Sequence, residues 1–130
     1  MAGVLAMGLG LDLTLREVQS RQKAKGLPWE IAKAFDQSCP LSGFIALSHV
    51  GNPEDIEFSL SVNEVLRQRG VASHMLTPIP ALLSFISQHF TLLPGDVVLT
   101  GTPEGVGALN PHDHLALTFN RQFTVETVCL

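Results

Sequence analysis

The sequence predicts a β-rich α+β fold with a few short helices, and three observations carry the prediction. Ile56, Phe58, Leu60 and Val62 alternate with Glu57, Ser59 and Ser61, the period-two pattern of a half-buried strand. Further apolar runs bounded by turn residues recur at 4–11, 44–47, 97–100, 115–119 and 123–128. Against these strands stand only two helical patterns, at 16–25 and 79–90.

The elements follow in order. Residues 4–11 read as a buried strand in which Gly8 and Gly10 allow close backbone approach. Thr14-x-x-Glu17 matches a capping box, with Leu13 and Val18 placed as its hydrophobic staple. The polar stretch Arg16 to Lys25 then reads as a solvated helix stopped by Gly26. Pro28 and Pro40 bracket a compact loop or short helix that carries Lys33. Asn63-Glu64 sits where a tight hairpin turn fits, with Val65 to Arg69 returning beside the alternating strand. Ile79, Leu82, Leu83, Ile86 and Phe90 form one helical stripe, with Ser84, Ser87 and Gln88 outward. Pro94-Gly95-Asp96 turns into 97–100, expected to be a strand that delivers the glycine-rich loop 101–107.

At 130 residues the chain is one domain by length, 1–130. An apolar fraction of 45% argues against disorder. Eight basic and twelve acidic residues leave a net charge of −4, with no basic stripe. Tyr is absent and Trp29 stands alone, so neither the charge nor the stacking surface of a nucleic-acid binder is present. Two cysteines, Cys39 and Cys129, make no disulfide framework and suit a reducing, cytoplasmic setting. The apolar N-terminus lacks a positive leader, and Asp12 interrupts it too early for a membrane span. A domain rarely opens on a core strand, so the chain is expected to be the back part of something longer.

Three stretches carry candidate chemistry. Asp12 ends an apolar run just before a helix; it suits either a helix-start carboxylate or an oxygen ligand of Mg2+ or Mn2+. Arg16 and Gln19 are three apart on the first helix, so a carboxylate-binding fork and an amide share one side. The bland alternative is a solvated helix face. Lys33, among Trp29, Ile31, Ala32 and Phe35, reads as a cation positioned beside a developing enolate or as a snorkelling surface lysine. In Gly101-Thr102-Pro103-Glu104-Gly105-Val106-Gly107 the backbone N–H groups and the Thr102 hydroxyl are placed to face a ligand, although the Gly-Lys-Ser/Thr ending of a phosphate loop is missing. Glu54-Asp55-x-Glu57 is the nearest second carboxylate group, yet it reads as a loop entering a solvent face. His112 and His114 read as an exposed turn, and Cys39 and Ser48-His49 show no nucleophile–base arrangement.

Taken together, Leu11-Asp12-Leu-Thr14-x-Arg16-Glu17-Val18-Gln19, Lys25-Gly26-Leu-Pro28-Trp29-x-x-Ala32-Lys33-x-Phe35, Pro94-Gly95-Asp96 and Leu99-Thr100-Gly101-Thr102-Pro103-x-Gly105-Val106-Gly107 resemble the C-terminal catalytic portion of the fumarylacetoacetate hydrolase superfamily. Within it the resemblance is to the acylpyruvase and oxaloacetate decarboxylase branch, over about Ala6 to Val128. It implies a mixed β-sandwich roll, commonly a homodimer, with Mg2+ or Mn2+ held by three carboxylates. By resemblance Asp12 matches one metal ligand, Arg16, Gln19 and Thr102 match substrate-pocket positions, and Lys33 matches the residue that steadies charge on the oxo-acid. The implied reaction is metal-dependent C–C bond cleavage in a small β-dicarbonyl acid, by hydrolysis or decarboxylation through a metal-bound enolate. Isomerisation of a hydroxy-dienedioate is the alternative within the family. The family's Glu-x-Glu metal pair and its lid with a His/Glu dyad match nothing in this chain; they are expected upstream of it. The competing expectation is therefore a catalytically incomplete fragment or an assembly module. Asn63-Glu64 also departs from the family's Asn-Gly turn.

Overall fold

The computed structural model describes residues 3–130. They form a β-rich α+β fold in two compact units, Leu9–Gly43 and the unit made of residues 3–8 with Phe44–Leu130.

In the unit Leu9–Gly43 an extended segment runs beside a returning loop. Leu11 and Leu13 donate their N–H groups to the carbonyls of Pro40 and Ser38, both at 3.0 Å, and Leu15 donates to Ala32 at 3.0 Å. Asp12 and Thr14 fall between the bonded positions, two residues apart, so their side chains share one face of the segment. Helix α1 (Arg16–Ala24) follows. It ends as the sequence predicts: Gly26 lies at φ +64°, its N–H reaches the Lys23 carbonyl, and the Leu27 N–H reaches that of Gln22. Those paired bonds are a Schellman motif. Its start differs from expectation. The cap is Leu15, with no side-chain hydrogen bond, so Thr14 and Glu17 form no capping box and Leu13 and Val18 no staple. Thr14 Oγ1 is engaged elsewhere, by Lys33 and the Asp12 carbonyl. A short 3-10 turn, Glu30–Ala32, carries fully buried Ala32 and hands the chain to Lys33.

The other unit holds two antiparallel sheets. Strands β1 (Ala6–Met7) and β2 (Ile45–Ala46) pair Ala6 with Ala46 and Met7 with Ile45. The apolar runs 4–11 and 44–47 are thus shorter strands than their composition suggests. The first gives way at Gly8, and the second turns at Leu47 into helix α2 (Leu47–Val50). The larger sheet has the order β4-β3-β5-β6, formed by β3 (Glu57–Val62), β4 (Val65–Val71), β5 (His114–Phe119) and β6 (Phe123–Val128). Phe58, Leu60 and Val62 stand opposite Phe119, Leu117 and Leu115, and this apolar column, with Ile56 and Val50, forms the core. Alternation along β5, where Leu115, Leu117 and Phe119 are buried, is the half-buried pattern expected of it. Helix α3 (Ile79–Ser87) half-buries Ile79, Leu82, Leu83 and Ile86 and stops before Phe90, which is exposed. Residues 97–100 form no strand. The inner edges of the sheet are already paired, and among the described residues 97–100 joins neither outer edge.

Asn63 and Glu64, at φ +49° and +67°, make the two-residue hairpin turn between β3 and β4. Asn63 suits that conformation, and its side chain also bonds the Asp113 carboxylate (2.8 Å) and the His114 N–H (2.9 Å). Glu64 gains nothing comparable in the left-handed region. Glu64→Gly is therefore expected to stabilise the chain by about 0.5–1 kcal/mol, raising Tm by roughly 2–4 °C in a thermal melt.

Asp113, beside that turn, accepts bonds from the Asn110 N–H (2.8 Å) and the Asn63 amide. The Asn110 backbone bond first, then the Asn63 bond, hold its carboxyl below the ordinary value of 3.8. Its contribution is thus complete above pH 3.8 and lost as pH falls through the lower folded value. Asp113→Asn should melt below wild type at pH 7, with the gap narrowing as the pH approaches 3.8 and below; Tm measured across that range checks it.

Candidate active site

Four of the five residues singled out in the sequence lie in the unit Leu9–Gly43, where they form two polar pairs. Lys33 Nζ lies 2.7 Å from Asp12 Oδ1 and donates to Thr14 Oγ1 at 2.8 Å. Arg16 Nη1 donates to Gln19 Oε1 at 2.7 Å. The Leu15 N–H on the Ala32 carbonyl ties the start of α1 to the residue before Lys33, and so links the pairs through backbone.

The chemistry follows from what each group has left. An ammonium has three donors. Asp12 and Thr14 take two of those on Lys33, so the third is free to meet a ligand oxygen. Both members of the ion pair are about one-third exposed, 31% for Lys33 and 38% for Asp12, so a ligand can reach them from solvent. The partners that fix Lys33 are polar, not the apolar neighbours that surround it in sequence. Trp29 is instead covered by Lys23, whose Nζ stands 4.7 Å from the ring centroid. Gln19 is buried at 6% exposure although polar, and with Oε1 held by Arg16 its amide nitrogen is the end left to donate. The arrangement presents cations and amide donors suited to a small carboxylate or enolate.

Thr102, the fifth residue, belongs to the other unit. It is exposed, on the irregular loop 101–107. The second carboxylate group is committed elsewhere: Glu57 pairs with Arg69 at 3.0 Å, and Asp55 accepts from Asn52. A shallow cavity of about 260 Å³ lined by Val62, Asn63, Val65, Arg67, Asn110 and Asp113 is built around the Asp113 hydrogen bonds, a structural network. Thr14 is the site residue that sequence reasoning missed, because Thr-x-x-Glu before a helix reads as a cap.

A divalent cation does not fit the residues of this chain alone. Among the described residues no three His, Cys, Asp or Glu side chains gather, and Asp12 already faces Lys33. One carboxylate is a poor holder for Mg2+ or Mn2+.

Comparison with known proteins identifies the family of the chain. The family described as fumarylacetoacetate (FAA) hydrolase C-terminal matches residues 1–128. The chain belongs to the fumarylacetoacetate hydrolase family. It is 52% identical to the oxaloacetate tautomerase YcgM of Escherichia coli over 118 residues, 90% of this chain and 54% of that protein. It is 45% identical to the mitochondrial oxaloacetate tautomerase of Homo sapiens over 107 residues, 82% of this chain and 48% of that one. Among solved structures, the fumarylpyruvate hydrolase of Pseudomonas aeruginosa, in complex with Mn2+ and pyruvate, superposes with a TM-score of 0.92. That match is 36% identical and covers 98% of this chain and 55% of the hydrolase. The chain thus spans about half the length of the family members it matches. No helix among the described residues is long and apolar enough to cross a membrane.

Proposed function

We propose that this chain supplies the substrate-holding part of an enzyme site that stabilises the enolate of a small β-dicarbonyl acid of the oxaloacetate or acylpyruvate class. The observation that carries the reading is the Lys33 ammonium, fixed by Asp12 and Thr14 with one donor free, in a chain 52% identical to an oxaloacetate tautomerase. Enolisation passes a proton from the carbon between the carbonyls to water or a dissolved base and leaves negative charge on the 2-oxo oxygen. Lys33 lowers the energy of that charge, Arg16 takes the carboxylate of the substrate, and the Gln19 amide donates a second bond. By the family resemblance Thr102 is a further substrate contact. C–C cleavage, as the family resemblance implies, and keto–enol exchange, as the relatives are named, both place an enolate charge on the 2-oxo oxygen. In cleavage that charge forms as the C–C bond breaks, with loss of carbon dioxide or after water adds to the far carbonyl; in keto–enol exchange it forms as the carbon between the carbonyls gives up its proton.

Asp12 has a second use in this reading. As one ligand of a divalent cation it requires further carboxylates from outside the chain, and it would exchange Lys33 for the metal. The Mn2+ in the Pseudomonas hydrolase supports that use.

Calorimetric titration with oxalate, a planar dicarboxylate that mimics an enolate, tests the proposal. Saturable binding that Arg16→Ala abolishes supports it. Absence of binding, or binding indifferent to Arg16→Ala, overturns it. Repeating the titration with Mg2+ or Mn2+ reports whether copies of this chain complete a metal site between them.

A further inference from the structure

The loop 101–107 that carries Thr102 is irregular, yet it meets β4 through one hydrogen bond and one close backbone approach. Strand β4 is bulged. Leu60 pairs with Gln68 and Ser61 with Leu66, so Arg67 is an extra residue without a ladder partner. At that bulge Gly105, at φ +95°, lies so close to Arg67 that a β-carbon would overlap the Arg67 carbonyl oxygen. Beyond it, a β-carbon on Gly107 would stand 3.8 Å from the Arg67 guanidinium. On the near side, Gln68 Nε2 donates to the Pro103 carbonyl at 3.1 Å. Among the described residues this is the one hydrogen bond that reaches residues 97–109 from β4.

The position of that bond matters for Thr102. Proline fixes its own φ near −65° and keeps the residue before it out of the helical region. Anchoring the Pro103 carbonyl therefore leaves few torsions by which Thr102 can move. We infer that Gln68, with the Arg67 bulge and Gly105, is a clasp that positions Thr102 for its ligand. The inference rests on the reading of Thr102 as a substrate contact. Gln68 touches no substrate; it is a positioning residue, acting through the loop.

The test uses the whole 130-residue chain and Gln68→Glu, which keeps the side chain's shape but cannot donate when ionised. Two readouts are taken: cleavage after Glu104 by a glutamate-specific protease, and affinity for oxalate against oxaloacetate. Loss of one neutral hydrogen bond should raise cleavage about tenfold. Oxaloacetate, which carries groups beyond those of oxalate for Thr102 to meet, should bind about tenfold more weakly, while oxalate should bind as before. Gly105→Ala, which pushes the loop off Arg67 by a different route, should act in the same direction. Unchanged cleavage in both variants would overturn the clasp. Equal weakening of oxalate and oxaloacetate would overturn the positioning role, since general damage to the fold affects both. Failure of wild type to bind either compound overturns the substrate reading and the clasp's ligand role with it, and cleavage then still decides whether the clasp exists.

Discussion

Lys33→Met is expected to lower turnover of oxaloacetate enolisation by about 10²–10³-fold, with almost no loss of stability. The size follows from removing a positioned cation from an oxyanion as its charge develops. The spared stability follows from exposure. The Lys33–Asp12 pair is about one-third open to water, and such pairs contribute about 0–1 kcal/mol. Methionine leaves Asp12 solvated and not buried without a partner. Lys33→Arg should not restore activity, because a planar fork cannot direct one donor to the ligand while satisfying both Asp12 and Thr14 at the same distances. Lys25→Met, on the exposed end of the same unit, is the control and should match wild type. Loss of enol absorbance in oxaloacetate solutions gives the rate, and a thermal melt of the same samples gives the stability. A large drop in Tm would recast Lys33 as a structural residue. Unaltered turnover with unaltered Tm would return it to an ordinary surface lysine.

What could be read from residues alone divides along physical lines. Period-two alternation at 56–62 and the apolar runs at 115–119 and 123–128 are self-contained signals, and the structure has strands at each. The helix stop at Gly26 was equally plain, because left-handed backbone selects glycine. Residues 97–100 look like a strand by composition, but strand formation needs an unpaired edge, and that depends on the rest of the sheet. Thr14 shows the same limit at a side chain. Its sequence context offers two partners for one hydroxyl, the helix N–H groups and Lys33, and the 19-residue separation hides the second. Asp12, Arg16, Gln19 and Lys33 could be grouped because they sit within 22 consecutive residues, 12–33, that fold back on themselves. Gln68 could not, since its link to Pro103 spans 35 residues and follows from a bulge with no sequence mark.

Strand propensity and packing predict opposite signs for Gly70→Val. By propensity alone, glycine inside a strand such as β4 weakens it by roughly 0.5–1 kcal/mol, and valine is among the best strand formers, so the exchange should stabilise. In the structure Gly70 is buried and stands directly opposite Phe58, whose ring lies across it so closely that even a β-carbon on Gly70 would overlap the ring. Valine must displace that ring from the face where Phe58 meets Phe119. Overpacking of this kind costs about 1–3 kcal/mol. Gly70→Val should therefore lower the denaturant midpoint and reduce Tm by roughly 4–10 °C. Gly70→Ala should act in the same direction with a smaller loss. Phe58→Leu on its own should destabilise by removing ring contacts, but combined with Gly70→Val it should lose less than the sum of the two, because the smaller side chain makes room for the new methyl groups. That coupling separates a clash with Phe58 from a general intolerance of β4 to substitution. Simple additivity, or a stabilised Gly70→Val, would mean that the ring does not rest on Gly70 in solution.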